Sequence, residues 1–140
     1  MRKIGLDIGD VRIGVAISDP MNIVANARET YIRKPSVEED AGYFTEYARQ
    51  NSADAFVLGL PVNMDGTLGR RAEITKEFGD KLAEHSGLKV FYQDERLTTA
   101  QAERMLIGAD VRRDKRKQVV DKVAACLILQ AFLDNPQNKF

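Results

Sequence analysis

The feature that most constrains this chain is its first nineteen residues, in which two apolar runs flank a short turn. The first run covers residues 3–6 and ends in Asp7, Gly9 follows, and the second run covers residues 12–17. Two such runs separated by a few residues that include glycine predict a β-hairpin. A carboxylate at the end of a strand, beside a glycine that lets a ligand approach the backbone, can hold a metal ion or a phosphate. The alternative is that Asp7 only makes the turn through its own backbone hydrogen bonds.

The length and composition favour one globular domain over residues 1–140, with a frayed tail from about residue 135. The 21 basic and 21 acidic residues cancel, which argues against a general binder of polyanions. The single Cys126 excludes an intrachain disulfide, and with the single His85 it argues against zinc sites and against Ser-His or Cys-His triads. Any chemistry would therefore rest on carboxylates. No apolar run is long enough for a membrane span and no signal peptide is evident, so we expect a cytoplasmic protein.

The remaining pattern alternates between helical and strand periodicities. In order, it predicts a strand over 23–32, a helix capped by Ser36, a strand over 55–59 and a helix over about 70–85 that Gly87 ends. It then predicts a strand over 89–93, a short helix after Thr98 or Thr99, and a helix over about 118–134. Three sequential strands with short links form an antiparallel meander, and crossovers between parallel strands are right-handed. The expected fold is α/β, with a mixed five-stranded sheet of three antiparallel and then two parallel strands and with helices on both faces.

Three acidic positions stand where acids are energetically expensive. Asp7 ends the first strand, Glu95 or its neighbour Asp94 follows the last strand, and Asp121 lies in the apolar final helix. If the first and last strands end at the same edge of the sheet, these carboxylates cluster and need a cation to offset their repulsion. Carboxylate oxygens suit Mg²⁺ or Mn²⁺, and such an open site is the design of metal-dependent phosphodiester cleavage.

Each acid also has a simpler interpretation. Glu95 could form a surface pair with Arg96, and Asp121 could pair with Lys117, with Lys122 or with the amino end of its own helix.

Cationic residues occur together in two further places. Arg70 and Arg71 open the second helix, where they oppose the helix dipole, and this arrangement is favourable if a phosphate binds there. A basic segment, expected to be a loop, precedes Asp121 and comprises Arg112, Arg113, Lys115, Arg116 and Lys117. Cations beside clustered carboxylates favour a polyphosphate substrate such as DNA or RNA, whereas the alternative is a solvated charge run. No aromatic stripe is available to stack unpaired bases, so recognition of backbone and shape is favoured.

Four motifs follow one another along nearly the whole chain. They are Gly-Leu-Asp-Ile-Gly with Arg-Ile-Gly-Val-Ala-Ile-Ser-Asp, Val-Leu-Gly-Leu-Pro with Asn-Met-Asp-Gly-Thr, Asp-Glu-Arg-Leu-Thr-Thr, and Val-Asp-Lys-Val-Ala-Ala. Together they resemble the YqgF family, the RuvX group of small bacterial proteins within the RNase H-like superfamily. The resemblance implies an RNase H-like fold and a divalent-metal nuclease. It also implies that Asp7, Glu95 and Asp121 are the acidic triad, which would bind Mg²⁺ or Mn²⁺. The residues that we expect to contact the substrate are Arg96 and the other cations named above.

The substrate that the resemblance implies is nucleic acid. The family was first regarded as similar to Holliday-junction resolvases and more recently as a nuclease that matures the 5′ end of pre-16S ribosomal RNA. We therefore expect structured RNA, with a ribosomal precursor particle as a partner, and branched DNA as the alternative; the protein would be a monomer or a homodimer. Where the superfamily often has a fourth acid, one turn further along the final helix, this chain has Ala124 and Ala125.

Two further interpretations come from other classes of protein. The first is a non-catalytic RNA-binding module on the same fold, in which the acids have lost their role. The second rests on the hairpin, which also resembles the phosphate-gripping hairpin of actin-like ATPases and sugar kinases. Those proteins need a second homologous domain, and 140 residues leave no room for one.

Overall fold

The structure, a computed structural model, describes residues 1–61, 68–94 and 113–134, and in the last range it describes side chains from residue 120 onward. The elements are β1 (Arg2–Ile8), β2 (Arg12–Ser18), β3 (Ala25–Ile32), α1 (Val37–Gln50), β4 (Ala53–Leu60), α2 (Arg70–Ser86), β5 (Lys89–Asp94) and α3 (Arg113–Asp134). The short helix expected after Thr98 or Thr99 lies outside the described residues.

The five strands form one mixed sheet in the order β3-β2-β1-β4-β5. Strands β1, β2 and β3 are antiparallel neighbours, whereas β1 with β4 and β4 with β5 are parallel pairs. The predicted fold class is therefore confirmed. Because β1, β4 and β5 run in the same direction, they end at one edge of the sheet, which we call the carboxyl edge (Ile8, Leu60 and Asp94). In open α/β sheets, ligands bind at this edge.

Helices cover both faces of the sheet. Side chains from alternate positions of β1, such as Ile4 and Leu6, are fully buried against α1 and α2. The opposite face packs on α3, where Leu129 is fully buried. A Cβ on Gly5 would lie 2.7 Å from the Cβ of Leu129, so only a residue without a side chain permits this approach of strand and helix. Because side chains alternate along a strand, Asp7 lies on the same face as Gly5, toward α3.

Local sequence signals explain two of the helix ends. Ser36 precedes α1, and its Oγ accepts a hydrogen bond from the backbone N–H of Glu39 at 3.4 Å, as expected of an N-cap. Gly87 ends α2 in the left-handed conformation, with φ of 73°, and its N–H donates to the carbonyl of Ala83 at 2.9 Å. Both boundaries were predicted correctly.

Two other boundaries were predicted incorrectly. Strand β3 begins at Ala25 rather than at residue 23, because the Asp19 carboxylate accepts the N–H groups of Ile23 and Val24 at 2.7 and 2.8 Å and holds them in a turn. Helix α3 begins at Arg113 rather than near residue 118. Arginine, lysine and glutamine are good helix formers, so the basic segment extends the helix without contributing to its apolar pattern.

Candidate metal and nucleic-acid site

Gly14 lies next to the backbone of two of the three predicted acids. In the β1–β2 ladder, Asp7 lies directly opposite Gly14. A Cβ on Gly14 would lie 1.8 Å from the backbone carbonyl oxygen of Asp121, so the backbone of α3 rests directly on this glycine. Directly opposed residues of an antiparallel pair share one face of the sheet. Asp7 and Asp121 therefore flank the same position, at the carboxyl edge.

Asp121 forms an ion pair that the sequence did not reveal. Arg12 Nε donates to Oδ2 of Asp121 at 2.8 Å, and the two side chains are 32% and 23% exposed. Lys117 and Lys122 were the cationic partners expected from the sequence, whereas the structure supplies a residue 109 positions away. Arg12 precedes Gly14 by two positions, so strand alternation places it on the same face. A positive charge at the start of β2 thus stands beside the carboxylates.

The third predicted acid, Glu95, lies outside the described residues. The strand that precedes it, β5, ends at Asp94 on the carboxyl edge. Within the described ranges, no group of three or more His, Cys, Asp or Glu side chains could hold a metal ion. Asp7 and Asp121 nevertheless offer carboxylate oxygens, which are the ligands that Mg²⁺ and Mn²⁺ prefer, so the chemistry of these donors fits such an ion.

The turn between β1 and β2 is held by hydrogen bonds from within and from β3. The N–H of Gly9 donates to the carbonyl of Arg12 at 2.9 Å. Arg33, just after β3, donates its backbone N–H to the carbonyl of Val11 at 2.9 Å and its Nη1 to the carbonyl of Gly9 at 3.0 Å. Three hydrogen bonds therefore fix the backbone of the turn that joins Asp7 to Arg12.

Arg33 is itself fixed by Asp40, which is fully buried at the start of α1. Oδ2 of Asp40 accepts from Arg33 Nε at 3.0 Å, while Oδ1 accepts from the Tyr31 hydroxyl at 2.8 Å and from the N–H of Lys34 at 2.9 Å. The Arg33 guanidinium also lies 5.3 Å from the centre of the Phe78 ring. Burial, and then the hydrogen bond to Asp40, raise the pKa of Tyr31 well above its ordinary value.

This network was not predicted, although the sequence contains a signal for it. Asp40 precedes the buried Phe44 by four positions, so it shares the inward stripe of α1. An acid on an apolar stripe needs partners, and here they come from the segment that follows β3.

The predicted cations fall into three groups. Arg70 and Arg71 are exposed on the first turn of α2, after a Gly69 N-cap that makes no side-chain capping bond. Arg96 and Arg112 lie outside the described residues. Arg113, Lys115, Arg116 and Lys117 belong to the first turns of α3 and not to a loop, so that expectation was wrong; their side chains are not among those described. At 1.5 Å per residue, these positions precede Asp121 by about 6–12 Å along the helix axis.

No helix within the described ranges is long and apolar enough to cross a membrane.

The sheet order, the helices on both faces and the acids at the carboxyl edge define an RNase H-like fold. Thermus thermophilus RuvC in complex with a Holliday junction substrate has the same fold, with a TM-score of 0.58, 15% identity and 91% of each chain covered. A second structure of Thermus thermophilus RuvC gives a TM-score of 0.51 at 15% identity over 91% of this chain and 92% of that one.

Residues 1–135 match the family model of RuvX, whose description is Holliday junction resolvase. The chain belongs to the RuvX family, and the resemblance drawn from its four motifs is confirmed. Relatives named "Putative pre-16S rRNA nuclease" include one from Symbiobacterium thermophilum, 50% identical over 134 residues (96% of this chain and 92% of that protein). Another, from Streptococcus thermophilus, is 52% identical over 136 residues (96% of this chain and 98% of that protein).

Proposed function

We propose that this protein is a metal-dependent nuclease that hydrolyses phosphodiester bonds at the 5′ end of pre-16S ribosomal RNA, within a precursor ribosomal particle in the cytoplasm. The observation that carries the proposal is that Asp7 and Asp121 are both backbone neighbours of Gly14 at the carboxyl edge. Relatives with 50% and 52% sequence identity are named for a nuclease activity on pre-16S rRNA, and this supports the choice of substrate.

The proposed metal ligands are Asp7, Asp121 and Glu95. Bound there, Mg²⁺ or Mn²⁺ would supply Lewis-acid stabilisation of the phosphate oxygens and a lowered pKa for water. The chain's own residues hold this arrangement in place: Gly14 lets α3 approach the sheet, and Arg33 holds the turn that follows Asp7. Because these contacts fix the positions of the acids before the substrate binds, the site does not have to become ordered during the reaction.

The proposed substrate-binding residues surround the carboxyl edge. Arg70 and Arg71 stand exposed at the amino end of α2, which follows β4 beyond that edge. The remaining members are Arg96, Arg112, Arg113, Lys115, Arg116 and Lys117. Contacts from such cations to phosphates bind the backbone without reading the sequence and make the affinity depend on salt.

A second candidate substrate is branched DNA, which the family description favours. Resolution of a symmetric junction requires two cuts, and a homodimer supplies two related sites. A monomer in solution would argue for RNA.

The experiment is cleavage of a labelled pre-16S leader RNA and, in parallel, of a four-way DNA junction. Both are incubated with Mg²⁺, with Mn²⁺ and with EDTA, using the wild type, Asp7→Asn and Asp121→Asn. Asp80→Asn is the matched control, because Asp80 is an exposed acid on α2. We expect metal-dependent cleavage of RNA that both site variants lose and the control retains.

Other outcomes would change specific parts of the proposal. Cleavage of the junction alone would move the substrate to branched DNA and leave the site intact. RNA binding without cleavage of either substrate would favour the non-catalytic module. Cleavage that persists in EDTA, or in both site variants, would show that the carboxylates are not the reaction centre.

A further inference from the structure

Arg12 is a cation that the chain places on one of its own candidate metal ligands. Its Nε–H donates to Oδ2 of Asp121 at 2.8 Å. The side chains are 32% and 23% exposed, so the pair is only partly shielded from water. Partial burial makes such an ion pair stronger than one on the open surface. Breaking it still does not leave a fully buried charge without a partner.

The backbone of Arg12 is fixed independently of this pair. The carbonyl of Arg12 accepts a hydrogen bond from the N–H of Gly9 at 2.9 Å. In the β2–β3 ladder, Arg12 is the partner of Ile32. The side chain is therefore the part that can change partners. A partly exposed arginine moves between rotamers within nanoseconds.

A divalent cation and the Arg12 guanidinium are both attracted to the carboxylate of Asp121. Each offsets the negative charge that Asp7 and Asp121 bring to Gly14, and together they repel one another. Binding of one therefore lowers the affinity for the other. The guanidinium also has an alternative partner, because its planar set of donors matches the oxygens of a phosphate.

Resting on the proposed function, we propose that Arg12 neutralises Asp121 in the metal-free protein and turns to a phosphate of the RNA when a divalent cation occupies Asp121. Arg12 is then a substrate-binding residue whose ion pair also sets the affinity for the metal. Loss of its charge has two effects of opposite sign: the metal binds more tightly and the RNA binds more weakly. A merely structural ion pair would not produce this combination.

The first test measures Mn²⁺ binding by calorimetry without RNA. Arg12→Gln should bind Mn²⁺ about three- to tenfold more tightly than the wild type. Arg12→Lys keeps the charge but loses the Nε–H contact and should give a smaller increase. Arg49→Gln is the matched control, because Arg49 is an exposed arginine on α1 that pairs with Glu46, and it should leave the affinity unchanged.

The second test measures RNA affinity in the presence of Ca²⁺, which shares the charge and the oxygen preference of Mg²⁺ but not its strict octahedral geometry. Arg12→Gln should lose about tenfold in affinity, as expected for one charge-assisted contact, and Arg49→Gln should lose little. A third test follows the wild type by NMR and needs Arg12→Lys only for the assignment. The NMR signal of the Arg12 Nε–H, assigned by its disappearance in Arg12→Lys, should shift on saturation with Mg²⁺.

Three results would overturn the inference: unchanged or weaker Mn²⁺ binding by Arg12→Gln, unchanged RNA affinity of that variant, or an Nε–H signal that Mg²⁺ does not move. The wild-type NMR test applies even if Arg12→Gln does not fold. Failure of the proposed function gives a different result. In that case the wild type either binds no Mn²⁺ or binds it with an affinity that Asp7→Asn does not change. Normal Mn²⁺ binding without any effect of Arg12 refutes only the present inference.

Discussion

Substitution of Asp40 by asparagine tests whether the buried network behind the β1–β2 turn stabilises the fold. The amide oxygen can still accept from Tyr31 and Lys34, so two of the three hydrogen bonds survive. The amide nitrogen replaces Oδ2 and meets Arg33 Nε, a donor facing a donor. Arg33, whose side chain is only 14% exposed, thereby loses the anion that offsets its charge.

The size of the effect follows from burial. Removal of one partner of a buried ion pair costs about 3–5 kcal/mol, mostly because the other charge stays buried. Arg33 retains the Gly9 carbonyl and the Phe78 ring as neighbours, so we expect the lower end, about 3 kcal/mol. With an unfolding entropy of about 0.3 kcal/mol/K for 140 residues, Tm falls by about 10 °C.

The assay is urea unfolding followed by circular dichroism, with the slope m compared between variants. The control is Glu46→Gln on the same helix. Glu46 pairs with Arg49, and the two side chains are 51% and 71% exposed, so its loss should cost under about 1 kcal/mol. If Asp40→Asn costs no more than Glu46→Gln at equal m, the buried pair contributes nothing special and the reasoning is wrong.

Three further predictions concern packing and ionisation. Gly14→Ala should destabilise the protein by about 3 kcal/mol or more and displace Asp121, because its Cβ would meet a backbone oxygen at 1.8 Å. Gly42→Ala should instead stabilise α1 by about 1 kcal/mol, because its Cβ would meet His85 at an ordinary 3.8 Å. Equal changes in the free energy of unfolding for the two variants would refute this prediction. Burial raises the pKa of Tyr43 to about 12, so the unfolded chain ionises first and the free energy of unfolding should fall as pH rises from about 10 to 12; a native tyrosinate absorbance titration centred near 10 would contradict this. Burial raises the pKa of the Cys126 thiol, so a disulfide reagent at pH 8 should react slowly with the folded protein and quickly in urea, and equal rates would contradict it.

Much of the fold could be predicted because its signals are local. Apolar runs, the Ser36 cap and the Gly87 stop are each set by neighbours in the sequence, and each lies where the pattern placed it. The failures at β3 and α3 have a common cause. The pattern of apolar residues does not show that the Asp19 side chain captures backbone N–H groups, or that charged residues continue a helix.

The site was harder to predict because its partners are distant in sequence. The predicted strand ends suggested that Asp7 and Asp121 lie at one edge of the sheet, and in the structure both are backbone neighbours of Gly14. Nothing in the sequence identified Arg12 as the partner of Asp121, since the choice among three nearby cations depends on how closely α3 approaches β2. That approach depends on Gly14, whose packing role becomes visible only in three dimensions.

The pairing of Arg12 with Asp121 also bears on how the chain folds during synthesis. The two residues are 109 positions apart, so the hairpin that carries Asp7 leaves the ribosome long before the helix that completes the carboxylate pair. Strands β1 to β5 can assemble earlier, but their α3 face stays uncovered until residues 113–134 emerge. The two acids can therefore come together only after the helix that carries Asp121 has emerged, and no shorter nascent chain has both of them in place.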